Sequence, residues 1–189
     1  TKREESLTNE IKTLRNKVES QLKTTGNSYY AGVEGEEELW FKLNTFYPNY
    51  RIEDNNFDHE KEEKRKITHR GDFVIYDKNF TVLIESKNYS GNIQKSKQEA
   101  FHNDMKNEKN QDLDCGIFIS LKTGIVGKED MSWELIGGKP VMWLHNTCEY
   151  YGKIKFAYNF LKILVNSQNQ IDFTNEEICS TMNSKLSLL

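Results

Sequence analysis

The sequence predicts an α/β domain in which a mixed β-sheet is flanked by helices, preceded by an amphipathic helix. Three observations carry that expectation. Asp72-Phe73-Val74-Ile75-Tyr76 and Phe80-Thr81-Val82-Leu83-Ile84-Glu85 are β-branched and aromatic runs separated by Asp77-Lys78-Asn79, the pattern of a hairpin. Gly116-Ile117-Phe118-Ile119-Ser120-Leu121 carries no charge and suits a central strand covered on both faces. Segments with apolar residues every three or four positions stand on either side of these runs.

Element by element, Leu7, Ile11, Leu14, Val18 and Leu22 form a narrow apolar stripe. It reads equally as the seam of a short coiled coil or as a helix docked on its own domain. Thr24-Thr25-Gly26-Asn27-Ser28 breaks that helix, and a second helix is expected from about 33 to 46, with Glu36-Glu37-Glu38 near its positive end and Pro48 beyond its close. The charge-dense stretch from Arg51 to Arg70 reads as an edge strand followed by an exposed loop. After the hairpin, residues 93 to 107 return to helical spacing, with Ile93, Ala100, Phe101 and Met105 on one face. Strands at 116–121 and 141–144, an apolar helix at 154–165 and a last helix opening at Thr174 complete the order α, α, β, β, β, α, β, β, α, α. That order gives a mixed sheet with an antiparallel hairpin feeding a helical crossover.

Composition narrows the function. The 189 residues suit one domain of ordinary size. A mean hydropathy of -0.78 and the lack of any long apolar run exclude a membrane span. The opening Thr-Lys-Arg-Glu-Glu-Ser shows no signal peptide, so an intracellular location is expected. Cys115, Cys148 and Cys179 have neither disulfide nor zinc spacing. No nucleophile triad or phosphate-cradling glycine loop is present. A net charge of -3 removes any global positive excess, although an acidic nuclease can still place lysines along a phosphate track.

The residues best suited to chemistry are Asp72, Glu85, Ser86 and Lys87. In a strand, Glu85 and Lys87 project together while Ser86 turns to the opposite face. A tight hairpin brings Asp72 across the ladder from the end of the Glu85 strand. Charges ending an apolar run are costly to desolvate unless they pair or bind a metal. Hard oxygen donors from Asp72 and Glu85, with the Ser86 carbonyl, suit Mg²⁺ or Mn²⁺. Lys87 beside a metal-bound water would stabilise developing negative charge or orient the nucleophile. An ordinary salt-bridged strand terminus is the alternative on these residues alone.

Gly71-Asp72 followed by Ile84-Glu85-Ser86-Lys87-Asn88-Tyr89 resembles the core hairpin of the PD-(D/E)XK nuclease superfamily, whose fold is restriction-endonuclease-like. Ala31-Gly32-Val33-Glu34-Gly35-Glu36 resembles the Gly-x-x-Gly-Glu helix start of many members. With Phe101, Asp104 and the 116–121 strand, the resemblance spans about residues 30 to 165. It implies that Glu36, with Glu37 as the fallback, assists metal binding, and that Gln94 faces the site. Gly71 replaces the usual proline, and Ala31 stands where relatives often carry a basic residue. The expected organisation is an amphipathic segment at 1–28 and a nuclease-like domain at 29–189.

The resemblance implies an Mg²⁺- or Mn²⁺-dependent endonuclease acting on DNA, with RNA left open. Lys64, Arg65, Lys66, His69, Arg70 and Lys95 are candidate phosphate contacts, against the alternative of a solvated loop. The residue 7–22 stripe offers a homodimer contact. The competing expectation is a catalytically inactive module that binds nucleic acid or protein and is oligomerised by the N-terminal helix.

Overall fold

The computed structural model describes residues 28–61, 63–64, 70–167 and 176–186. The Leu7–Leu22 stripe, Arg65, Lys66 and His69 lie outside the described residues, as does the Thr174-Asn175 opening of the last helix. Helix α1 spans Ser28–Phe46, and β1 (Arg51–Asp54), β2 (Phe57–Asp58), β3 (Glu63–Lys64), β4 (Phe73–Asp77) and β5 (Phe80–Lys87) follow it. Then come α2 (Lys95–Lys106), β6 (Cys115–Ser120), β7 (Met131–Ile136), β8 (Lys139–Leu144), α3 (Gly152–Ser167) and α4 (Glu176–Leu186). Six strands form one sheet in the order β1-β4-β5-β6-β8-β7, while β2 and β3 pair separately. The sheet is mixed: β1, β4 and β5 are antiparallel, β5, β6 and β8 are parallel, and β7 is antiparallel to β8. The expected α/β architecture is therefore the observed one.

Each sheet face buries its own apolar layer. One layer joins Phe73, Ile75, Val82, Ile84, Ile117 and Ile119 to Leu39 and Leu43 of α1 and to Ile154, Ala157 and Leu161 of α3. The other joins Val74, Leu83, Phe118, Val141 and Trp143 to Phe101 and Met105 of α2. Strand alternation sorts the residues: Val82 and Ile84 face α1 and α3, whereas Leu83 faces α2. Helical spacing does the same for α3, whose Ile154, Ala157, Tyr158, Leu161 and Leu164 are all buried. Helix α1 closes at Phe46, two residues before Pro48, where the pre-proline residue is biased away from helical angles.

Three features differ from the sequence reading, and the first is that the stretch after β1, read as an exposed loop, holds the paired strands β2 and β3. Helix α1 begins at Ser28 rather than about 33. Between the expected strands at 116–121 and 141–144 lies a further strand, β7, which pairs with β8 along Met131↔Leu144 to Ile136↔Lys139. Gly137 and Gly138 both have positive φ, 60° and 81°, so they form the two-residue connection whose twist suits a hairpin. At the free side of β7, Asn183 of α4 accepts from Trp133 N at 2.8 Å and donates to Trp133 O at 2.9 Å.

The turn into β4 positions the site. Gly71 has φ of 60°, and a Cβ there would stand 2.9 Å from Ile84 O and from Leu83 Cδ1. Buried Asn55 clamps this turn, donating from Nδ2 to Arg70 O at 2.6 Å and to Gly71 O at 3.3 Å. Gly71→Ala is expected to lose about 1–3 kcal/mol by combining a left-handed conformation with a clash against strand backbone. Urea denaturation measures it, and a loss below about 0.5 kcal/mol would refute this account of the turn.

Candidate active site

Asp72 immediately precedes β4, and its N–H donates to Ile84 O at 2.9 Å, extending the hairpin by one residue. Its carboxylate is buried, with Oδ2 accepting from Ser86 N at 2.7 Å and from Ser86 Oγ at 2.9 Å. Oδ1 accepts from Asn56 Nδ2 at 2.9 Å, and the same nitrogen donates to Glu36 Oε2 at 3.2 Å. One amide thus holds two carboxylates that come from the hairpin and from α1. The approach of α1 depends on Gly35, where a Cβ would lie 2.7 Å from Leu121 Cδ1 and 2.8 Å from Asn88 Nδ2. A bare backbone lets the helix sit against the end of β5 and deliver Glu36.

Glu85 and Lys87 follow the parity of Leu83, and Ser86 that of Ile84, as the sequence spacing predicts. Lys87 Nζ donates to Glu85 Oε1, and to Ser86 O at 3.0 Å. Burial pulls the Lys87 ammonium toward neutrality, but Asp72 and Glu85 outweigh it, so the group is held protonated. Burial pushes the Glu85 carboxyl up, Asp72 pushes it further, and Lys87 draws it partly back. Burial, followed by the nearby charge of Asp72, raises Glu36 to about 7.

A cavity of about 870 Å³ opens here. Glu36, Asp72, Ser86 and Lys87 line it, as does Glu37, so the structure brings both helix candidates to one space. Glu85 stands behind Lys87 rather than in the lining. Gln94 does not reach the cavity: it is exposed and donates to Asn92 O at 2.9 Å. Lys95, the exposed first residue of α2, is likewise outside the lining. Arg70 is committed to a two-point contact with Asp112, at 3.2 and 2.7 Å, and to the Tyr76 hydroxyl at 3.0 Å. Lys64 lies in β3.

Sequence reasoning missed the wall supplied by residues 54–59. Asp54 Oδ1 accepts from the N–H groups of Asn56 and Phe57 at 2.8 and 2.9 Å, a side-chain turn that aims Asn56 at the carboxylates. His59 Nε2 donates to Asp54 Oδ2 at 2.9 Å, and its ring stacks on Trp40 at 4.1 Å with an interplanar angle of 5°. The Asp54-Asn55-Asn56 run signals a turn, but nothing in linear order places it beside Asp72.

Among the described residues, no three His, Cys, Asp or Glu side chains form a ready cage for a metal ion. The donor set nevertheless fits a magnesium-like ion, because Glu36 and Asp72 each reach the same atom, and Mg²⁺ commonly binds one or two carboxylates while keeping several waters.

The raised Glu36 value has a stability consequence. Between its unfolded value of 4.5 and about 7, the folded chain binds more protons than the unfolded chain, so this group's contribution falls as pH rises through that window. Glu36→Gln should therefore be more stable than the parent protein at about pH 8, with the advantage shrinking toward about pH 5. Urea midpoints at both pH values test this, and an advantage that does not change with pH would contradict it.

Residues 31–114 match the family model described as a nuclease-related domain. The match begins in α1 and ends just before β6, so it contains Glu36, Asp72, Glu85, Ser86 and Lys87. Comparison with curated proteins and with solved structures gave no match. The match is consistent with the resemblance of these residues to the PD-(D/E)XK superfamily.

Proposed function

We propose that the domain is a metal-dependent endonuclease that hydrolyses phosphodiester bonds in DNA. The observation that carries the reading is the meeting of Glu36 and Asp72 on one Asn56 nitrogen, in a cavity also lined by Lys87 and within the nuclease-related stretch. Asp72 and Glu36 would hold Mg²⁺ or Mn²⁺; Glu85 and the Ser86 carbonyl both accept from Lys87 Nζ, and each would have to exchange that contact to join the ion. When bound, the ion supplies a water of lowered pKa and neutralises charge on the scissile phosphate.

The chain's own groups do the rest. The Ser86 N–H and hydroxyl fix the Asp72 carboxylate in one orientation. Lys87 carries a retained positive charge toward the cavity, where it stabilises charge on the reacting phosphate. Glu85 anchors that ammonium from behind and limits its motion. Asn56 holds the Glu36 and Asp72 carboxylates together before any cation arrives.

Labelled linear duplex, single strand, four-way junction and supercoiled plasmid, each with Mg²⁺, Mn²⁺ or EDTA, test the reading. Cleavage should require metal and should fall about 10²–10³-fold or more in Asp72→Ala, Glu85→Ala and Lys87→Ala. At limiting metal, the rate should rise with pH through about 7 as Glu36 ionises, because a protonated carboxyl competes with the cation. Binding without cutting by folded protein, under all metal conditions, would overturn the enzyme and favour the nucleic-acid-binding module.

A further inference from the structure

The cavity has a second chemical character. Beside the carboxylates it is lined by the rings of Trp40, Phe41, Phe57, His59 and Tyr89. We propose that this aromatic side receives an unpaired nucleobase, so that the strand offered to Glu36, Asp72 and Lys87 is single-stranded or locally opened. The inference rests on the nuclease reading of the same cavity.

The geometry of α1 links the two halves. Gly32, Val33, Glu36, Glu37, Trp40 and Phe41 all line the cavity, and their spacing of four puts them along one helix face. Glu36 and Trp40 are thus separated by about one turn, or about 6 Å of rise. A phosphate placed at the carboxylates therefore has aromatic surface within the reach of its own base. The wall is also assembled in advance. Trp40 and His59 are already parallel, Phe57 meets His59 edge-on at a centroid distance of 5.0 Å, and Asp54 tethers the imidazole. Rings fixed in this way lose little freedom when a further planar group is added. Phe41 remains 71% exposed, although an apolar ring of that size ordinarily seeks burial.

Charge points the same way. A protein that follows a duplex backbone needs a track of available lysines and arginines. Exposed Glu34, Glu37 and Glu38 instead stand along the middle of α1, beside the cavity mouth. Stacking needs no such track, because every base presents a π-face, and it contributes about 1–3 kcal/mol per base. A volume of about 870 Å³ lies within the range of small-molecule sites and suits a nucleotide rather than an intact duplex.

Equilibrium binding of three labelled DNA ligands, with Ca²⁺ in place of Mg²⁺, tests the pocket: a short mixed-sequence strand, its duplex, and an abasic backbone of the same length. The single strand should bind at least about tenfold more tightly than the duplex. Removing the bases, or introducing Phe41→Ala, should weaken that binding about 5- to 150-fold. Tryptophan emission of the unaltered protein gives a second readout that needs no variant: the strand should quench it and the abasic backbone should not. Equal or tighter duplex binding, an abasic backbone that binds and quenches as well as the strand, binding of a folded Phe41→Ala unchanged, or no binding to any ligand overturns the pocket. The two readings separate cleanly. Metal-dependent cutting of duplex that is indifferent to Phe41→Ala leaves the nuclease standing without the pocket. Base-dependent strand binding with no cutting leaves the pocket without the nuclease.

Discussion

The Asp72 carboxylate joins parts of the chain that otherwise have little reason to meet. It follows the Gly71 turn, borders the first strand of the hairpin, accepts from two groups of Ser86 on the second, and shares Asn56 with Glu36 of α1. A buried carboxylate without donors costs several kcal/mol, so its three hydrogen bonds are a condition of its place in the fold. They also register the hairpin against the 54–59 segment and against the helix. Loosening any one of these contacts would unsettle both the end of the sheet and the cavity.

The charges around Asp72 are organised to limit their own cost. Lys87 is kept cationic among carboxylates, while burial and the negative charge of Asp72 bring Glu36 toward neutrality near pH 7. Such an arrangement is poorly stabilised by protein contacts alone, and a cation entering between the carboxylates would relieve the repulsion. Groups whose protonation is balanced in this way within a concave site are more characteristic of function than of scaffold.

The hairpin, the central strand and the flanking helices were legible because each rests on local patterning: alternation along 73–77 and 80–87, uncharged 116–121, and apolar spacing through 154–165. Asp72, Glu85 and Lys87 were legible as a group because a hairpin converts separation in sequence into opposition in space. Strand β7 was not read, although Gly137-Gly138 between two β-rich runs is itself a hairpin signal. Asn56 and His59 were illegible for a different reason: their partners Glu36 and Trp40 lie about one helix away in sequence, and only packing brings them together. Arg70 carried the appearance of a phosphate contact until its neighbour Asp112, remote in sequence, was in view.

The side-chain amide of Asn183 offers a last consequence. Strand β7 ends the sheet, and Asn183 occupies both the donor and the acceptor of Trp133 there. A sheet margin is a template on which a foreign strand can grow. Helix α4 therefore covers β7 at Trp133, and its displacement would bare those two backbone groups to a passing strand. Colloidal behaviour of the chain would then depend on a residue remote from the cavity and irrelevant to its chemistry.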